Sequence, residues 1–115
     1  MNVTIYHNPR CSKSRQTLEL IRAEGIEPMI VEYLSETPSA AEIKGLLEKL
    51  GKAPRDIVRK GEAVYKELGL KDAAISDDAL IEAMAANPIL IERPIVVNGD
   101  KAALGRPPED VLKIL

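Results

Sequence analysis

The nine residues His7-Asn8-Pro9-Arg10-Cys11-Ser12-Lys13-Ser14-Arg15 hold the only cysteine and the only histidine of the chain, four positions apart and among three basic side chains. A thiol attacks only as its thiolate, and that form is favoured by a helix start, by nearby cations and by hydrogen-bond donors. Arg10, Lys13 and Arg15 offer charge, Ser12 and Ser14 offer hydroxyls, and His7 adds a polarisable ring. The turn signalled by Asn8-Pro9 puts Cys11 where a helix begins, with unpaired backbone N–H groups and the positive end of the helix dipole. The chemistry on offer is nucleophilic attack by sulfur. The same helix start, with Arg15 beside it, also suits a phosphate-like tetrahedral anion, so that thiolate and anion would meet. Ser14 stands where a Cys-x-x-Cys redox pair has its second cysteine; Cys11 cannot close a local disulfide, and an outside thiol must resolve any adduct. The plain alternative is that Cys11 is a small buried apolar side chain and His7 a satisfied polar one.

Three further arginines lie beside backbone breakers: Arg59 before Lys60-Gly61, Arg93 before Pro94, and Arg106 before Pro107-Pro108. Arginines on loops are free to point at a ligand, although in a chain that is 30% charged each also reads as ordinary surface charge. Pro94, just ahead of an apolar strand, is a candidate cis-proline. No metal is expected, because Cys11 and His7 fall short of the three or four ligands a zinc site uses. A phosphatase-type Cys-x5-Arg loop is excluded by spacing, since the residue six beyond Cys11 is Thr17.

These side chains must be positioned by a chain of 115 residues, enough for one domain with a single core. A formal charge of -2 gives no overall basic field for nucleic acid. No run approaches the roughly 18 apolar residues of a membrane span, and the amino terminus lacks a signal-peptide pattern. The expectation is a cytoplasmic protein without membrane or nucleic-acid partners, whose lone cysteine stays reduced.

Asn2 to Tyr6 reads as a first strand, and Ser12 to Glu24 as a helix closed by Gly25. Met29 to Leu34 reads as a second strand, parallel to the first because a helix-length crossover joins them. Ser39 and Glu42 form a capping-box pattern ahead of Ile43, Leu46, Leu47 and Leu50, with Gly51 as the stop. Shorter helical pieces lie between Pro54 and Leu70, and Ser76 caps a helix running to about Asn87. Pro94 to Asn98 and Lys101 to Gly105 form a hairpin around Asn98-Gly99-Asp100, and Pro107-Pro108-Glu109 opens a closing helix. The order predicts an α/β thioredoxin-like domain: a mixed sheet flanked by helices, with a helical insertion over about residues 36 to 87.

His7-x3-Cys11-x3-Arg15, Arg59-Lys60-Gly61, the run from Asn87 to Val97 and Gly105-Arg106-Pro107-Pro108-Glu109 resemble, in register, the glutaredoxin-dependent arsenate reductases over nearly the whole chain. The resemblance implies that Cys11 is the nucleophile, that His7 and Ser14 favour its thiolate, and that Arg59, Arg93 and Arg106 bind the oxyanion. It also implies arsenate as substrate, glutathione as co-substrate, glutaredoxin as protein partner and no bound cofactor. One departure is Arg10-Cys11-Ser12-Lys13, where plasmid-borne members have Ala-Cys-Gly-Thr. Two other readings stay open: a thiol-sensing regulator that binds RNA polymerase, and a general glutathione-linked thiol reductase.

Overall fold

The computed structural model describes residues 2–115, which form two compact units. The first takes the residues up to Glu36 together with Arg93–Leu115; the second is Thr37–Glu92.

In the first unit, β1 (Val3–Tyr6), β2 (Met29–Val31), β3 (Ile95–Asn98) and β4 (Lys101–Leu104) make one sheet in the order β2-β1-β3-β4. β1 and β2 are parallel, with Ile5 opposite Ile30, as a helical crossover through α1 (Ser12–Ala23) allows. β1 and β3 are antiparallel, with Ile5 opposite Val96, and β3 pairs antiparallel with β4. Val3, Ile5 and Val96 from the sheet, Leu18 and Ile21 from α1, and Val111 from the closing helix form one buried cluster. A helix needs an apolar stripe to lie on such a sheet, and Leu18 and Ile21, three positions apart, supply it. The expected mixed sheet flanked by helices is present.

The second strand ends earlier than its apolar run. Met29 to Leu34 was expected to be extended, but β2 stops at Val31, and the amides of Ser35 and Glu36 donate to the Glu32 carbonyl in a turn. The reason lies in its partner. His7 N–H donates the last rung to Val31 O at 2.8 Å, and the chain then leaves the sheet at Asn8-Pro9, so residues past Val31 have nothing to pair with. Tyr33 is buried within that turn. The hairpin is one residue tighter than Asn98-Gly99-Asp100: Asn98 pairs with Lys101, leaving Gly99-Asp100 as the loop. Gly99 has φ +65° and Asp100 a negative φ, the pattern in which glycine at the first loop position matches strand twist. The closing segment Pro108–Ile114 is a 3-10 helix, tied to the sheet by Asn98 Nδ2 donating to Ile114 O at 2.7 Å.

In the second unit, α2 (Ala40–Leu50) begins with the expected capping box. Glu42 N–H donates to Ser39 Oγ and Ser39 N–H to Glu42 Oε1, both at 3.1 Å. Short helices α3 (Pro54–Ile57) and α4 (Ala63–Glu67) follow, then α5 (Asp77–Ala86), capped by Ser76. Ile43, Leu46 and Leu47 of α2 and Leu80, Ile81 and Met84 of α5 are among its buried apolar residues. The unit runs past residue 87, the expected end of the insertion. Glu92 N–H donates to Ile57 O and Arg59 N–H to Leu90 O, which ties residues 90–92 back to 57–59. Among the described residues no helix is long and apolar enough to cross a membrane.

Candidate active site

The Cys11 site is built by the exit from β1. Asn8 Oδ1 accepts from Arg10 N–H, and Asn8 O accepts from Cys11 N–H, both at 3.0 Å, which turns the chain sharply. Arg15 Nη1 reaches back to donate to Pro9 O at 2.9 Å. Cys11 becomes the N-cap of α1, with extended backbone, φ -93° and ψ 123°. The first turn of α1 carries no acidic residue, so nothing there competes with the thiol for positive potential.

Cys11 is 9% exposed. Burial pushes its thiol pKa up, but the Ser14 backbone N–H, the Arg93 charge, the Lys13 backbone N–H and the Arg106 charge together outweigh burial and hold it below the ordinary thiol value. Arg106 Nη2 stands 3.9 Å from Sγ. Cys11 is therefore buried among donors and cations rather than in hydrocarbon.

Register brings the two arginines together. Ile95 of β3 is opposite Leu104 of β4, and Gly105 N–H donates to Pro94 O at 2.9 Å, so Arg93 and Arg106 meet just beyond the end of the ladder. Arg106 Nε donates to Arg93 O at 2.8 Å. Arg93 is half-buried, with Nε and Nη1 shielded from solvent. The Arg93–Pro94 bond is cis, as anticipated, and Arg106–Pro107 is cis as well, which had no sequence signal. Gly105 was also missed. A Cβ there would overlap the Thr17 side chain and approach Pro94 Cγ to 2.7 Å, so only glycine lets the Arg106 loop close onto α1 and Pro94.

His7 and Ser14 are both buried and pair with each other. His7 Nδ1 is 2.7 Å from Ser14 Oγ, which also accepts from Asn8 N–H at 3.0 Å. The Ser14 hydroxyl is thus committed to the loop, and it is the Ser14 main-chain N–H that favours the thiolate. Burial holds the His7 pKa below its usual value, against the opposing charge of Glu32 and with help from Arg22 and Arg15; the ring is neutral at neutral pH. It positions Ser14 and adds no charge.

Arg15 Nη1 donates to Pro9 O on the exposed side of the loop, which engages one of the five N–H donors of its guanidinium. Arg59 belongs to the second unit, where Nη1 pairs with Glu62 at 3.2 Å and Nε lies 4.0 Å from Glu92. Among the described residues no three His, Cys, Asp or Glu side chains group as metal ligands.

A lone thiol lowered in pKa at a helix start, with two hairpin arginines beside it and no second cysteine, defines a one-cysteine thiolate site on a thioredoxin-like sheet. Residues 6–114 match the ArsC family, and the chain belongs to that family. It is 54% identical over 114 residues to an uncharacterized Escherichia coli (strain K12) protein, YfgD, covering 98% of this chain and 96% of that protein. It is 48% identical over 116 residues to an arsenate reductase of Haemophilus influenzae, covering 100% of both. A solved arsenate reductase from Vibrio cholerae matches with a TM-score of 0.97 at 54% identity, covering 100% of this chain and 98% of that one.

Proposed function

We propose that this chain is a cytoplasmic arsenate reductase that uses glutathione as co-substrate and glutaredoxin as second reductant, with no bound cofactor. The observation that supports this reading is the Cys11 thiol itself: it sits at the start of α1, below its ordinary pKa, with Arg106 Nη2 at 3.9 Å and the Arg93 charge acting on it. A nucleophile and cations in one place suit attack on an anion that would otherwise repel a thiolate.

In the proposed first step the Cys11 thiolate attacks arsenic(V), an arsenic–oxygen bond breaks, and the oxygen leaves as water after protonation. Arg93 and Arg106 offset the charge that gathers on the remaining oxygens. Glutathione then attacks Cys11 Sγ in the adduct. The sulfur–arsenic bonding pair leaves with arsenic, which is released as arsenite, and a Cys11–glutathione disulfide remains. A glutaredoxin thiol takes the glutathione and returns the Cys11 thiolate, so two thiols are oxidised for each arsenate reduced. An outside thiol is needed because no second cysteine exists in the chain. Arg59 joins the proposed anion ligands by family resemblance, and Arg59→Ala is expected to raise the KM for arsenate.

The test is arsenite release from purified protein supplied with arsenate, glutathione and glutaredoxin. Turnover should vanish in Cys11→Ser and fall by about 100-fold or more in Arg93→Ala, the scale of losing one donor to a developing anion. Faster turnover of glutathione mixed disulfides than of arsenate would reassign the chain as a general thiol reductase. Capture of RNA polymerase without arsenite release would reassign it as a regulator.

A further inference from the structure

Away from Cys11, the Thr37–Glu92 unit contains a cavity of about 650 Å³ whose lining includes Arg55, Lys60, Lys66, Lys71 and Tyr65. That volume lies within the roughly 300–1,000 Å³ typical of small-molecule sites. Four cationic side chains and no acidic one line it, in a chain whose formal net charge is -2. The local excess of positive charge therefore runs against the composition of the whole.

Among the described residues, no direct ion pair meets this charge. Arg55 Nη1 donates to Leu70 O at 2.6 Å, and Nη2 donates to Asp72 O at 2.6 Å and Ile75 O at 3.4 Å. These carbonyls fix the guanidinium and wrap the loop from Leu70 to Ile75 around it, yet carry no formal charge to neutralise it. The ion pairs of the described residues do not engage Lys60, Lys66 or Lys71 with any carboxylate. Like charges around one concavity repel one another, and an anion in their midst relieves that repulsion. The rest of the lining is uncharged: the largely buried Tyr65 and the small, exposed Gly69 and Ala73.

We propose that this cavity binds a small anion that carries several charges on an apolar body, of the size and charge of a nucleoside diphosphate. Lysine ammonium groups act as mobile point charges for phosphate, while the prefixed Arg55 gives up little freedom on binding. The uncharged lining around Tyr65 takes the uncharged part of the ligand.

The experiment titrates the full chain with ADP, pyrophosphate and adenosine, followed by calorimetry and by amide shifts in nuclear magnetic resonance. ADP should bind saturably and shift the amides of Tyr65, Lys66, Gly69 and Lys71. Pyrophosphate should bind more weakly, and adenosine, which lacks the charge, not at all. Raising salt from about 50 to about 200 mM should weaken ADP binding, because it screens the cations. The double variant Lys66→Glu with Lys71→Glu, both exposed, should lower ADP affinity at least about tenfold, about 1.4 kcal/mol. Should that variant not fold, Lys66→Gln with Lys71→Gln serves with the same expectation. Absence of saturable ADP binding up to about 10 mM, far weaker than most metabolite sites, would overturn the proposal. So would unchanged affinity in the folded double variant, or shifts confined to residues 7–15 and 93–106.

Discussion

Two opposing influences act on Cys11: burial, which favours the neutral thiol, and the Ser14 and Lys13 amides with the Arg93 and Arg106 charges, which favour the thiolate and prevail. The alkylation rate of Cys11 should therefore rise to half its maximum below the unperturbed thiol pKa of about 8.5. In Arg106→Ala the midpoint should move up, since the guanidinium 3.9 Å from Sγ is gone while burial remains. The same shift acts on stability. A thiol with a folded pKa below its unfolded one stabilises the fold above the unfolded value, and loses that contribution as pH falls through the folded one. His7 has the opposite origin, because burial lowers the pKa of a base. The unfolded chain takes up its proton first, from about pH 6.5 downward, so stability falls with pH there. Urea unfolding at about pH 7.5 and about pH 5.5 should show a larger loss in the wild type than in His7→Gln, which has no proton to gain. Ser14→Ala removes the acceptor for Asn8 N–H and the partner of His7 Nδ1, both in buried or half-buried surroundings. A loss of about 1 to 3 kcal/mol in chemical unfolding is expected for such orphaned groups.

At the scale of elements, the site depends on how the hairpin of β3 and β4 ends. Pairing of Ile95 with Leu104 and the Gly105-to-Pro94 hydrogen bond bring Arg93 and Arg106 together although 12 residues lie between them in sequence. Gly105 makes the closure possible, and Gly105→Ala would force a methyl group into Thr17 and Pro94. Overpacking of this kind costs about 1 to 3 kcal/mol. It should also displace Arg106, raising the alkylation midpoint of Cys11; Thr17→Ala in the same chain should restore part of both. Much of this was legible beforehand because it is local. Asn8-Pro9 ahead of Cys11 marks a turn into a helix, Ser39 with Glu42 marks a capping box, and Asn98-Gly99 marks a hairpin. What was not legible is set by partners distant in sequence. β2 ends where β1 departs, Arg15 Nη1 reaches back to Pro9 O, and Gly105 matters only because α1 and Pro94 stand against it. The 3-10 form of Pro108–Ile114 likewise has no pattern that separates it from an α-helix.

At the scale of the whole molecule, the four groups named as lowering the Cys11 pKa lie in the first of the two compact units. Ser14 and Lys13 belong to α1, and Arg93 and Arg106 flank the hairpin. The core that holds them, Val3, Ile5, Leu18, Ile21, Val96 and Val111, is in that unit too. The second unit has its own buried residues, including Leu80 and Met84 at 0% exposure. Damage to either core should therefore be separable at the sulfur. Met84→Ala should lower stability by about 2 to 5 kcal/mol, the range for truncating a buried methionine. In the remaining folded protein, the pH at which Cys11 alkylates at half its maximum rate should stay where it is. Val111→Ala removes volume beneath α1, and by loosening the seat of Ser14 and Lys13 should raise that pH along with its cost in stability. Measuring urea midpoints and alkylation profiles for both variants checks the division. A Met84→Ala shift as large as that of Arg106→Ala would mean that the field at Cys11 is not set by its own unit.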